Sequence, residues 1–150
     1  MLKNRMLWVC IFLFSITSCL AAQPTAAAPQ TASTWTDSKT KLTWAGQDNG
    51  SDVNWNQAND YCRNFRLGAY SNWRLPNINE LRRIYDQSQD VNGYHIKAGM
   101  ELSKGWQWSN SPGKYSGEFW IFYFGDGSRL SGETEDGSDK RALCVRDSRK

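Results

Sequence analysis

The segment that most constrains the fold of this chain is residues 70–81, with the sequence YSNWRLPNINEL. It has the pattern of a turn, a short extended stretch and the first turn of a helix. Asn77 is a favourable N-cap, and Glu80 stands three residues later, where the partner of a capping box is expected. A helix is therefore predicted to begin after Asn77. Such a junction can identify a fold, but it carries no catalytic group.

Two amphipathic helices are predicted in the first part of the domain. Asn54 can cap the first helix, whose apolar residues recur at steps of three and four: Trp55, Ala58, Cys62 and Phe65. Gly68 is placed to end this helix as its C′ residue. The second helix has one apolar face, made of Ile78, Leu81, Ile84 and Tyr85. Residues 86–105 show no apolar period, and long structureless loops in small domains are often functional.

The last third of the domain has the pattern of β-structure. Residues 119–124 (FWIFYF) are apolar on both faces, which is typical of a central strand covered on both sides. Residues 125–127 (GDG) predict a hairpin turn, and residues 142–146 predict a closing strand. The expected fold class is α+β, with two helices packed on a short antiparallel sheet.

The N-terminal residues predict export. Lys3 and Arg5 precede an apolar run that is too short for a comfortable membrane span, so residues 1–18 resemble a signal peptide. Residues 16–19 (ITSC) fit a lipobox, in which the Cys19 thiol would receive a lipid. The alternative is an ordinary signal peptide cut near residues 21–22. Residues 19–34 are mostly Ala, Thr, Gln, Ser and Pro, which predicts a disordered tether.

The net charge of the chain narrows its possible partners. Cleavage after residue 18 removes Lys3 and Arg5 from 18 basic residues and none of the 15 acidic ones, which leaves a net charge of +1. This near neutrality argues against nucleic-acid binding, which needs a basic face.

Cys62 and Cys144 are an even pair in an exported domain, so a disulfide is expected between them.

The order of motifs resembles that of the Lcl C-terminal domain family. The similarity rests on residues 70–81 together with five further strings: WTDSKTKLTW from residue 35, WNQANDYC from residue 55, WSNS from residue 108, FWIFYFGDG from residue 119 and RALCVR from residue 141. Lys41 is a departure, because family members often have Gly there. The resemblance implies a domain over residues 35–147 with a C-type-lectin-like fold, related to formylglycine-generating-enzyme domains. It also implies a disulfide from the first helix to the last strand.

Trp106 and Trp108, together with Arg129, are the predicted ligand-binding residues. The two tryptophans share one side of a strand beside the long loop, and aromatic rings stack on sugars. Packing in the core is the competing interpretation, favoured for any single Trp because a small domain needs large side chains. The acidic residues between 133 and 139 could offer oxygen atoms to Ca²⁺, but a solvated acidic loop is favoured.

The sequence predicts neither an enzyme nor a cofactor or metal site. The calcium-dependent lectin motifs are missing, His95 is the only histidine, and no phosphate- or dinucleotide-binding loop occurs. We therefore expect a non-catalytic envelope protein that binds a glycan or a surface partner. The family's namesake, a surface adhesin, favours this expectation. The alternative is a structural or assembly subunit of an envelope complex. The expected location is the outer membrane through a lipid anchor, otherwise the periplasm or the exterior.

Overall fold

The computed structural model describes residues 33–148. Its helices are α1 (Trp55–Asn64) and α2 (Ile78–Ile84), with a short 3-10 helix at Lys97–Gly99. Its strands are β1 (Thr34–Thr36), β2 (Leu42–Ala45), β3 (Trp106–Pro112), β4 (Glu118–Tyr123), β5 (Arg129–Glu133), β6 (Lys140–Arg141) and β7 (Val145–Asp147). Helices precede most of the strands, so the α+β class is confirmed.

The strands form two sheets, whereas one short antiparallel sheet was expected. The first has the order β1-β2-β7 and is antiparallel; the second has the order β5-β4-β3-β6, in which β6 pairs parallel to β3. The parallel pair arises because the chain leaves β5 through an acidic loop and returns beside Trp106 and Gln107. The expectation of a single antiparallel sheet was therefore wrong.

Strand β4 is covered on both faces, as the sequence pattern predicted. Its Ile121 packs with Trp108 in one buried cluster, together with the inner side of α1. Its Phe122 packs in a second buried cluster with the inner side of α2. Each helix therefore lies over its own part of the core, and β4 separates the two parts.

Both predicted helix starts are confirmed by their caps. The Asn54 and Asn77 side chains accept hydrogen bonds from the backbone N–H groups three residues later. Arg74 adds two hydrogen bonds of 2.8 Å to the Glu80 carboxylate, which fixes the second cap. The predicted C-cap at Gly68 was wrong: α1 ends at Asn64, where the chain becomes extended.

Residues 86–105 are ordered, contrary to the structureless loop suggested by the missing period. Tyr85 pairs with Ile96, and Val91 pairs with Tyr94, through backbone hydrogen bonds. Ile96, Met100 and Leu102 are buried in the core. Their spacing is irregular because the segment folds as short bridges and one 3-10 turn, so no helical or strand period can appear.

The segment 142–146 connects the two sheets and is not one strand. Strand β6 ends at Arg141 in the four-stranded sheet, and β7 begins at Val145 in the three-stranded sheet. Between them Cys144 forms the predicted disulfide with Cys62 of α1, with the two Cα atoms 5.4 Å apart. This bond confirms the expected pairing of the first helix with the last part of the chain.

The N-terminal predictions fall almost wholly outside the described residues. The signal peptide at residues 1–18, the lipidation site Cys19 and most of the tether lie there. Thr34, assigned to the end of the tether, instead begins β1 because it pairs with Ala45. Within residues 33–148, no helix is long and apolar enough to cross a bilayer.

Candidate functional site

Trp108 belongs to the core, so the expectation that it contacts a ligand is corrected. Its exposed fraction is 0%, and its indole N–H donates to the Val53 carbonyl at 2.8 Å. The physical reason is that its ring packs beneath α1, in the buried cluster that also contains Ala58, Cys62 and Ile121. Trp108 instead holds the chain segment that precedes α1.

Trp106 remains half-buried and joins an aromatic surface that the sequence analysis did not define. Its ring stacks on Tyr123 of β4, with centroids 4.4 Å apart. A Cβ atom at Gly105 would lie 2.6 Å from a ring atom of Tyr123 and of Tyr94. Glycine at this position therefore lets the two tyrosines close over the backbone. We call Tyr94, Trp106 and Tyr123 the aromatic surface.

Arg129 lies on the opposite face of the sheet from the two predicted tryptophans. Trp106 pairs directly with Tyr123, whereas Arg129 pairs with Phe122, and neighbouring residues of a strand point to opposite faces. The Arg129 guanidinium lies 5.1 Å from the centre of the Trp120 ring. The structure therefore does not bring the three predicted ligand-binding residues together.

A groove runs along the outer side of α1 and encloses about 630 Å³. We call it the α1 groove. Its lining residues are Asn49, Ser51, Val53, Gln57, Asp60, Tyr61, Asn64, Phe65 and Arg66. The helix supplies one side and the chain segment before the helix supplies the other. The groove combines aromatic rings with amide, carboxylate and hydroxyl groups, the side-chain chemistry that recognises polyhydroxylated ligands.

The segment opposite the helix is held in place by the buried carboxylate of Asp48. This carboxylate accepts hydrogen bonds from the Gly50 N–H, from both the N–H and the hydroxyl of Ser103, and from the Gln107 amide. Asn49 is fixed in turn, because its amide oxygen accepts from the Ala142 N–H at 2.8 Å. These bonds make the groove wall part of the folded frame.

The helix side of the groove is anchored from within. The Trp55 indole donates to the Ser109 carbonyl at 2.9 Å, and its ring stacks on Phe119 with centroids 3.8 Å apart. In the last turn of the helix, the buried Cys62 is bonded to Cys144. Because the inner face is fixed at both points, the outer face presents its side chains in a defined geometry.

Three side chains of the groove have polar groups that are available for hydrogen bonds to a ligand. Within residues 33–148, the carboxylate of Asp60, the amide of Asn64 and the hydroxyl of Tyr61 accept or donate no hydrogen bond. Burial, assisted by the negative charge of Asp48, raises the pKa of the Tyr61 phenol. The phenol therefore stays protonated at neutral pH and can donate. The groove thus offers one acceptor, one amide and one hydroxyl beside an aromatic ring.

The part of the chain that the structure describes contains no group of three or more His, Cys, Asp or Glu side chains placed to hold a metal ion. His95 lies with its Nδ1 atom 2.6 Å from the Gln89 carbonyl oxygen and its ring against Tyr85. In the acidic segment, Asp136 pairs with Lys140, and Asp139 pairs with Lys104. These two carboxylates therefore serve ion pairs.

The sequence contained a signal for the α1 groove. Gln57, Asp60, Tyr61 and Asn64 are spaced by three, one and three residues, which places them on a single helix face opposite Ala58 and Cys62. The other wall could not be inferred from sequence, because residues 49–53 are positioned by hydrogen bonds with distant parts of the chain, such as those from Ala142 to Asn49 and from Trp108 to Val53.

Comparison with known protein families supports the resemblance stated above. The model of the Lcl C-terminal domain matches residues 33–146, which is most of the chain. This span begins two residues before the domain boundary predicted from sequence and includes the whole of β1. No curated protein matches the chain. The chain belongs to the Lcl C-terminal domain family.

Proposed function

We propose that this protein is a non-catalytic binding protein of the bacterial cell envelope, and that its α1 groove recognises a glycan. The observation that carries the proposal is the placement of Asp60, Tyr61 and Asn64 in one groove with their polar groups uncommitted. Sugar rings present hydroxyl groups around an apolar face. A phenol ring, a carboxylate and an amide match those two features.

The envelope location rests on the N-terminal sequence. A Cys19 lipid and the predicted tether would hold the domain away from a membrane surface, where it could reach an extended polymer. Several acyl chains bind a bilayer far more strongly than one, at about 0.8 kcal/mol per buried methylene group. A C-type-lectin-like chain path is proposed as well, supported by the disulfide that links the first helix to the last strands.

The aromatic surface is the second candidate for the glycan site. It contains the predicted residue Trp106, and stacked half-buried rings could hold a sugar face. It has fewer hydrogen-bonding groups than the α1 groove, because the nearby Lys104 amine and Asp139 carboxylate bind each other at 3.0 Å. The α1 groove is therefore preferred.

A glycan array with the full-length protein tests the proposal, followed by titration of any glycan that binds. Replacing Asp60 and Asn64 together by Ala should weaken binding about tenfold or more, since two hydrogen bonds are lost. Arg63→Ala is the matched control, because Arg63 is exposed on the same helix and lies outside the groove. Trp106→Ala should have the larger effect only if the aromatic surface is the site.

An array without any bound glycan would contradict the proposal. The function would then be that of a structural or assembly subunit of an envelope complex. Co-purification of a stable partner with the wild-type protein, unaffected by the Asp60 and Asn64 substitutions, would establish that alternative.

A further inference from the structure

Two arginines from different elements line a second pocket, on the other side of the four-stranded sheet from the aromatic surface. Arg82 comes from α2 and Arg129 from the start of β5; the remaining lining residues are Ile78, Phe122, Gly127 and Ser128. The pocket encloses about 300 Å³. We call it the arginine pocket. It was not apparent from the sequence, because the arginines are far apart along the chain.

The positive charges of the arginine pocket are not neutralised by the fold. Among residues 33–148, no carboxylate lies within ion-pair distance of Arg82 or Arg129, and neither guanidinium donates a hydrogen bond. No acidic side chain lines the pocket. The carboxylate of Asp126 in the neighbouring turn accepts from the Ser128 N–H at 2.8 Å, and hydrogen bonds from Ser128 lower its pKa.

Arg83, the next residue of α2, provides an internal comparison. It lines a different hollow, which it shares with the carboxylates of Glu80 and Asp147. The helix therefore directs one arginine toward acidic neighbours and the preceding one toward a pocket without them. Both arginines are exposed, and the contrast between them lies in their acidic neighbours.

The walls of the arginine pocket are held in place before any ligand binds. The Arg129 guanidinium lies over the Trp120 ring, an arrangement that limits its rotamers. The turn at Gly127 packs on Tyr85, since a Cβ atom there would lie 3.1 Å from the Tyr85 ring. On the helix, the buried Ile78 fixes the turn from which Arg82 projects.

The lining selects a carboxylate attached to an apolar group. Two guanidinium groups can each give paired N–H donors to the two oxygens of a carboxylate. The buried side chains of Ile78 and Phe122 form an apolar floor of the pocket, which hydroxyl-rich ligands would not use. The volume is at the lower end for ligand pockets, which suits one amino-acid residue better than an extended polymer.

We propose that the arginine pocket binds the C-terminal carboxylate of a partner polypeptide that ends in an apolar residue. The carboxylate lies between Arg82 and Arg129, and the terminal side chain lies against Ile78 and Phe122. This site is separate from the α1 groove, so the protein could hold a glycan and a polypeptide partner at the same time.

The probe is a fluorescein-labelled Ala-Ala-Leu peptide, prepared as the free acid and as the C-terminal amide. Each form is titrated with the full-length protein. The free acid should bind, and amidation should weaken binding about tenfold or more because a charge-assisted contact is lost. Arg82→Gln and Arg129→Gln should each weaken binding by a similar factor. Arg83→Gln is the matched control and should leave affinity unchanged.

Each alternative outcome overturns the inference. Equal affinity for the acid and amide forms of the peptide would show that the pocket does not recognise the carboxylate. Equal weakening by Arg83→Gln would indicate diffuse charge attraction without a defined pocket. Binding of inorganic sulfate that depends on Arg82 and Arg129, without binding of the peptide acid, would show an anion site with another ligand. Thermal unfolding of every variant checks that the fold is kept. Absence of glycan binding together with peptide binding would contradict only the proposed function of the α1 groove and not this inference.

Discussion

Removing the disulfide should destabilise the domain strongly. The change is the double substitution of Cys62 and Cys144 by Ala, which frees α1 from the chain segment between the two sheets. The bond joins residues with a sequence separation of 82. In the chain-entropy description, opening a loop of that length lowers the free energy of unfolding by about 4.5 kcal/mol.

This loss of stability can be expressed as a decrease in melting temperature. For a folded domain of about 116 residues, the unfolding entropy corresponds to about 4 °C for each kcal/mol. The double variant should therefore melt about 15–20 °C below the wild type. Because both cysteines are fully buried, the loss of sulfur packing adds to the effect and does not offset it.

Circular dichroism during heating measures this change, with dithiothreitol-treated wild-type protein as the control that keeps both sulfur atoms. Reduced wild type should show most of the decrease. A fall of less than about 5 °C in both samples would refute the reasoning. Free thiols at Cys62 and Cys144 in the denatured, unreduced wild type would show that the bond does not form.

Three further changes test separate parts of the structure. Trp108→Phe removes the donor to the Val53 carbonyl and should lower the free energy of unfolding in urea by about 1–3 kcal/mol, whereas no measurable change would contradict the contact. Asn77→Ala removes the cap of α2 and should cost about 1 kcal/mol in the same assay, with the exposed Asn79→Ala as a near-neutral control. Cys19→Ala should move the protein from the membrane fraction to the soluble fraction; continued membrane retention would show that something other than a lipid holds it.

The elements that could be predicted from sequence are those fixed by local chemistry. The starts of α1 and α2 follow from Asn54 and Asn77, because a cap acts within one helical turn. The sequence of β4 is apolar on both faces of the strand. This pattern alone predicted that the strand is central and covered on both sides. The disulfide followed from a cysteine pair in a domain expected to be exported.

The features that were missed depend on distant parts of the chain. The parallel pairing of β6 with β3 joins residues that share no local pattern. Ile96 is buried through short bridges and not through a periodic element. The burial of Trp108 could not be distinguished from exposure, because a strand pattern assigns a side but not what covers it. The same limit hid the convergence of Arg82 and Arg129.

The most direct test of the proposed α1 groove is the NMR mapping of a bound glycan. The backbone amide signals of ¹⁵N-labelled protein are followed while a glycan selected on the array is added. We expect the largest shifts at residues 49–53 and 57–66, with those of Asp60, Tyr61 and Asn64 among them. Shifts centred on Tyr94, Trp106 and Tyr123 would assign binding to the aromatic surface. Unchanged signals along α1 at saturating glycan would contradict the proposed site.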